Sequence, residues 1–127
     1  MGAVYKFKPF ARYARKAGLS DAMLCRAARE IEAGRIDADL GGGVVKQRVA
    51  RDGEGRSGGF RTIVLFRTGT SLFFIRGFAE NERDNITVVE LAVFKEASAV
   101  MLSLPQVAIQ KAIAAGEIIE IDCEVRP

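Results

Sequence analysis

The sequence holds no histidine and no tryptophan. Histidine is the side chain that most often moves protons near neutral pH. Without it, Ser–His and Cys–His nucleophilic triads are excluded. Any acid–base step must fall to Lys, Arg, Asp, Glu, Tyr or Cys. Cysteine is scarce as well: Cys25 and Cys123 stand far apart, with no CxxC between them. That spacing gives neither a disulfide framework nor a zinc pattern, so both are expected as buried thiols, Cys25 on a helix and Cys123 in the last strand. No metal site and no cofactor is expected. The chain has no apolar run of about 18 residues, so no membrane span is expected. Residues 1–10 lack the apolar core of a secretory signal, and a reducing cytoplasm is the expected compartment. Neither GxxxxGK[ST] nor GxGxxG occurs, which argues against a nucleotide-binding loop.

What is present suits one globular domain. The chain has 127 residues, 49% of them hydrophobic and 28% charged, enough to bury a core without staples. Charge is unevenly placed. Residues 1–79 carry 15 basic and seven acidic side chains, a net of +8; residues 80–127 carry four basic and nine acidic, a net of −5. A basic first part with an acidic tail suggests a polyanion-binding surface, with ordinary solubilising charge as the alternative.

Periodicity predicts an α+β domain. Val4 to Phe7 reads as a short strand. Pro9 opens a helix with Phe10, Tyr13, Ala14 and Ala17 on one face, and Gly18 stops it. Ser20 caps a second helix, lined by Leu24, Ala28 and Ile31 and ended by Gly34. The two form a helical hairpin. Asp37 to Gly43 reads as a loop. Val44 to Ala50, Phe60 to Arg67 and Leu72 to Ala79 read as strands of an antiparallel meander. The aromatic stripe Phe60, Phe66, Phe73, Phe74 and Phe78 is expected in the core. Thr87 with Glu90 forms a capping box for a helix to about Leu102; Ser103 with Gln106 forms a second box for a helix that Gly116 stops. In Glu117 to Val125, Ile119, Ile121, Cys123 and Val125 alternate with acids, as in a strand with one buried face. Such a strand needs a sheet edge to pair with: its own chain's, beside Val4 to Phe7, or that of a second copy in a homo-oligomer or of the antitoxin, with a disordered tail as the remaining alternative. The expected order is β-α-α-β-β-β-α-α-β: a small, mainly antiparallel twisted sheet with an N-terminal helical hairpin, C-terminal helices and a short C-terminal strand.

The chemistry-bearing segment runs from Lys46 to Phe66. Lys46 and Arg48 are two apart on one strand and share a face. A glycine-rich basic loop with Arg51 and Arg56 comes next, and Phe60-Arg61 begins the following strand. Antiparallel pairing would bring Arg61 close to Lys46 and Arg48. Such cations repel one another unless they bind an anion, and guanidinium groups fork onto phosphodiester oxygens. The bland alternative is a solvated sheet face.

These residues carry a resemblance. Lys46-Gln47-Arg48-Val49-Ala50-Arg51, then Gly55-Arg56-Ser57-Gly58-Gly59-Phe60-Arg61, then Phe78-Ala79-Glu80-Asn81-Glu82-Arg83, resemble the RelE/HigB toxins of the RelE/ParE superfamily, over about residues 3–90. The resemblance implies a type II toxin–antitoxin toxin. Residues 1–127 would be one domain, with 1–90 the RelE-like core and 91–127 a helical and strand extension. It implies a ribosome-dependent endoribonuclease, an mRNA interferase, with the ribosome and mRNA as partners and a helix-turn-helix antitoxin as its inhibitor. Lys46, Arg48 and Arg61 would match the family's basic catalytic residues. Glu80 stands where the family has Lys, Asn81 where well-studied members have Arg, and Thr87 near their catalytic Tyr. Arg83 would replace the lost charge, and Arg51 and Arg56 would grip RNA. Relatives of the same fold that poison gyrase supply one alternative function; a non-toxic nucleic-acid-binding module is another.

Overall fold

A computed structural model describes residues 2–50, 59–79 and 86–123. Its elements are β1 (Val4–Phe7), α1 (Lys8–Ala17), α2 (Asp21–Glu32), β2 (Ala38–Gly41), β3 (Val44–Val49), β4 (Phe60–Leu65), β5 (Leu72–Ala79), α3 (Val88–Met101), α4 (Gln106–Ala114) and β6 (Ile118–Ile121). The fold is α+β, as expected from the segregation of helices and strands. The six strands form one sheet in the order β2-β3-β4-β5-β1-β6. Only β1 and β5 pair in parallel; the other neighbours are antiparallel.

The helix ends form for the reasons read from the sequence. Pro9 sits in the first turn of α1 and Gly18 closes it in the left-handed region. The Ser20 hydroxyl accepts from the Met23 amide at 3.2 Å and starts α2. Thr87 and Glu90 make a reciprocal box at the start of α3: the Glu90 amide donates to the Thr87 hydroxyl at 3.0 Å, and the Thr87 amide donates to Glu90 Oε1 at 2.9 Å. The second expected box does not form. Pro105 precedes α4 without a side-chain cap. The Ser103 hydroxyl instead donates backward to the carbonyls of Ala99 (2.6 Å) and Val100 (3.2 Å), satisfying the end of α3. A serine just past a helix finds those open carbonyls nearer than the next helix's amides.

Helices cover the sheet on both sides. Against one face, α1 and α2 enclose Val4, Val45, Val49, Phe60, Val64, Leu72, Phe74 and Ile121. On the other, α3 and α4 pack over Tyr5, Val44, Ile63, Leu65, Phe73 and Ile118. Phe10, Phe73 and Phe74 are almost fully enclosed, and each such ring stabilises the fold by about 2 kcal/mol. Burial and the nearby Glu120 charge push the Tyr5 hydroxyl up from its ordinary pKa, while a Gln106 hydrogen bond opposes them.

Two-sided cover corrects the reading of the last strand. Ile118 and Ile121 are buried, whereas Ile119 is 39% exposed. Each face has its own core, which buries Ile118 as well as Ile121, and Ile119 meets solvent because β6 is the edge strand of the sheet. The strand completes the chain's own sheet by pairing with β1, Val4 opposite Ile121 and Phe7 opposite Ile118. Val125 lies outside the described residues.

Two further expectations are corrected. Residues 37–43 are not simply a loop, because Ala38–Gly41 forms β2 and pairs with β3. Three consecutive glycines, Gly41, Gly42 and Gly43, all at positive φ, allow the tight turn between them. The cysteines are not separate thiols: Cys25 and Cys123 are joined as a disulfide, with Cα atoms 5.4 Å apart despite a sequence separation of 98. Sequence spacing hid this because it says nothing of β6 returning to β1, beneath α2.

Candidate nucleic-acid interface

The β3–β4 register builds the site. Arg48 is the cross-strand partner of Arg61, and Lys46 is the partner of Ile63. Side chains at 44, 46 and 48 share one face of β3, and those at 61, 63 and 65 share the matching face of β4. Because Val44, Ile63 and Leu65 belong to the α3-side core, Lys46, Arg48 and Arg61 all stand on that side. The cluster expected from the sequence is therefore assembled. All three are half-buried, placed at the margin where core gives way to solvent. Like charges directly opposed on paired strands are unfavourable toward each other, so this pairing concentrates positive charge at one place on the sheet.

The opposite face of β3 holds the site in place. Gln47 is 2% exposed and points toward α2. Its amide nitrogen donates to the Arg35 carbonyl at 3.0 Å, and its oxygen accepts from the Asp37 amide at 3.0 Å. The Thr62 hydroxyl, also buried, donates to the Gln47 carbonyl at 2.8 Å. The Arg48 amide donates to Asp37 Oδ2 at 2.6 Å. β2 begins only opposite Lys46, so beyond that point the Arg35–Asp37 segment takes over as the lateral support of β3. A polar residue at a core position is tolerated because both ends of its amide are satisfied.

The sequence reading missed Arg76. Counting along β5 from Phe73, simple alternation sends Arg76 to the α1 side with Phe74. The pairing shows otherwise: Val64 opposes Phe74, but Ile63 opposes Arg76, so Ile75 is an extra residue, a bulge. One inserted residue switches the face of every later residue in the strand. Arg76 therefore emerges on the α3 side, in the same cross-strand row as Lys46 and Ile63, while Arg48, Arg61 and Phe78 make the next row. Its guanidinium pairs with Glu90 Oε2 at 3.3 Å and lies 5.6 Å from the centre of the Phe94 ring. Gly77 was the available signal. A glycine inside a strand marks a bulge or a close approach, and a Cβ here would run into the Tyr13 and Phe10 rings of α1.

Thr87 acts as the helix cap, and the capping bonds occupy its side chain. Arg51, Arg56, Arg83, Glu80 and Asn81 lie outside the described residues. The basic excess is not confined to this face: Arg12, Arg15 and Lys16 are all exposed on the outer side of α1. Among the described residues no cluster of His, Cys, Asp and Glu could hold a metal ion, and no helix is long and apolar enough to cross a membrane.

No curated protein matches the chain. The family described as the RelE toxin of the RelE / RelB toxin-antitoxin system matches residues 2–121, a span that takes in all six strands and all four helices among the described residues. By that match, the chain belongs to the RelE toxin family.

Proposed function

We propose that this toxin stops translation by cutting mRNA on the ribosome, with Lys46, Arg48 and Arg61 as the core of its active site. The observation that carries the reading is the pairing of Arg48 with Arg61 on the same face as Lys46. RNA cleaves itself when the 2′-oxygen bonds to the adjacent phosphorus and the bond from phosphorus to the 5′-oxygen breaks. The step needs a base for the 2′-hydroxyl proton, cations for the charge gathering on the phosphate, and an acid for the leaving oxygen. Arg48 and Arg61 fit the charge-holding role, since arginine keeps its proton throughout the working range. Lysine can exchange a proton, so Lys46 is assigned to take it from the 2′-hydroxyl. A site without histidine is weak by itself and gains most from a substrate already aligned, which suits cleavage restricted to the ribosome.

Arg51 and Arg56 grip the RNA or ribosomal backbone in this reading, and Arg83 supplies charge in place of Asn81. Action on ribosomes places the protein in the cytoplasm, where a helix-turn-helix antitoxin neutralises it. Primer extension on translated mRNA after induction tests the proposal: cleavage within reading frames is expected. Growth arrest with intact mRNA would move the assignment to a toxin of the same fold that cuts no RNA, such as a gyrase poison. The capping role of Thr87, near which well-studied relatives carry a catalytic tyrosine, favours that second reading.

A further inference from the structure

We propose that Arg76 is a fourth phosphate-binding residue of the basic face, held in reserve by Glu90. The inference rests on the reading of that face as an RNA site and adds a residue and a competitor to it. Two neighbouring cross-strand rows, Lys46–Ile63–Arg76 and Arg48–Arg61–Phe78, place four cations around Ile63. Strands lie about 4.8 Å apart and alternate residues roughly 7 Å apart along a strand, so Lys46 and Arg76 bracket the site at about 10 Å. A single phosphate at Arg48 and Arg61 leaves Arg76 within reach of the next one along the chain.

The Arg76 side chain is 43% exposed, which leaves its guanidinium accessible to a ligand. Two contacts hold its direction. The Phe94 ring lies beneath it, and Glu90 Oε2 pairs with it while Glu90 Oε1 is committed to the Thr87 amide. Glu90 is thus anchored by the helix cap and cannot follow Arg76 toward solvent. A phosphate has more charge-assisted acceptor oxygens to offer than one carboxylate oxygen at 3.3 Å, so RNA would draw Arg76 off Glu90. The competing explanation is that Arg76 and Glu90 merely tie the first turn of α3 to the sheet.

Binding of a short, uncleavable, 2′-O-methylated single-stranded RNA, measured across a salt series, separates these. Arg76→Ala should weaken binding several-fold and lower the slope of log K against log salt by about 0.7, the value for one phosphate contact on a single strand. Its melting temperature should stay near that of the wild type. Arg76→Lys should keep the slope. Glu90→Gln retains a side chain suited to a capping box but removes the competing charge, and should bind more tightly than the wild type. A wild-type slope in Arg76→Ala together with a lowered melting temperature makes the residue a structural tie and overturns the inference. Arg61→Ala is the control for the site itself. Weak binding by Arg61→Ala alongside wild-type binding by Arg76→Ala removes only Arg76; wild-type binding by Arg61→Ala removes the RNA reading of the whole face.

Discussion

Arg48 and Arg61 face each other across the β3–β4 ladder, each the other's direct partner. Like charges directly opposed on a ladder are unfavourable. Their pairing at the margin of a core gathers positive charge where arginine's forked donors suit a phosphate. Arg61→Ala is expected to keep the fold, since the side chain is only half-buried at the margin of the core. Cleavage on programmed ribosomes should fall by about 10²–10³-fold, the usual loss when one preorganised charge-stabilising group is removed. Lys46→Ala should do at least as much. Full activity in both variants, with unchanged melting temperatures, would remove these residues from the site.

Gly43 bears on the frame around the site. Its φ is +81°, and a Cβ there would collide with the hydroxyl of Ser98, which is fully buried in α3. Gly69 has a similar φ of +86° but open space around it. Gly69→Ala should therefore cost about 1 kcal/mol, the backbone term alone. Gly43→Ala should cost about 3 kcal/mol, because α3 must shift off the sheet as well. Urea denaturation of the two variants reads the difference directly. Equal losses would show that α3 gives way without cost.

Gln47 links the core to the site. Gln47→Leu keeps roughly the same volume but strands the Asp37 amide and the Arg35 carbonyl. Leaving such groups unpaired is expected to lower stability by about 2 kcal/mol. Loosening the Arg35–Asp37 segment also frees the support beneath the Arg48 amide, so ribosomal cleavage should fall further than stability accounts for. A variant that loses stability and keeps full activity would show that Arg48 needs no help from that segment.

Much of this was legible in the sequence where the code is local. Pro9, Gly18, Ser20 and Thr87 act over one helical turn, and each sits where its chemistry predicted. Lys46, Arg48 and Arg61 were legible because a two-residue spacing and an antiparallel hairpin decide their face. Arg76 was not, because a bulge at Ile75 exists only in the pairing of two strands. Ile119 was misread because β6 is the edge strand of the sheet, where a residue on the core-facing side can still meet solvent. The Ser103 box failed because two helix ends competed for one hydroxyl. The join of Cys25 to Cys123 depends on the sheet order, which places the last strand beside the first.

The same join sets how the protein should respond to reductant. The disulfide closes most of the chain into one loop, with a sequence separation of 98. For a loop of that size the chain-entropy account gives a stabilisation of as much as about 4.7 kcal/mol. A reducing cytoplasm would hold the same two residues as thiols. There β6 would be kept on β1 by its ladder and by the buried Ile118 and Ile121 alone. Adding reductant to the oxidised protein should therefore lower its melting temperature by as much as roughly 18 °C, the equivalent of that energy in a domain of this length. The Cys25→Ser, Cys123→Ser double variant should melt near the reduced value and ignore the reductant. A wild-type melting temperature indifferent to reductant, with the bond shown open by thiol titration, would mean that β6 needs no staple and that the pairing with β1 carries the C-terminal strand unaided.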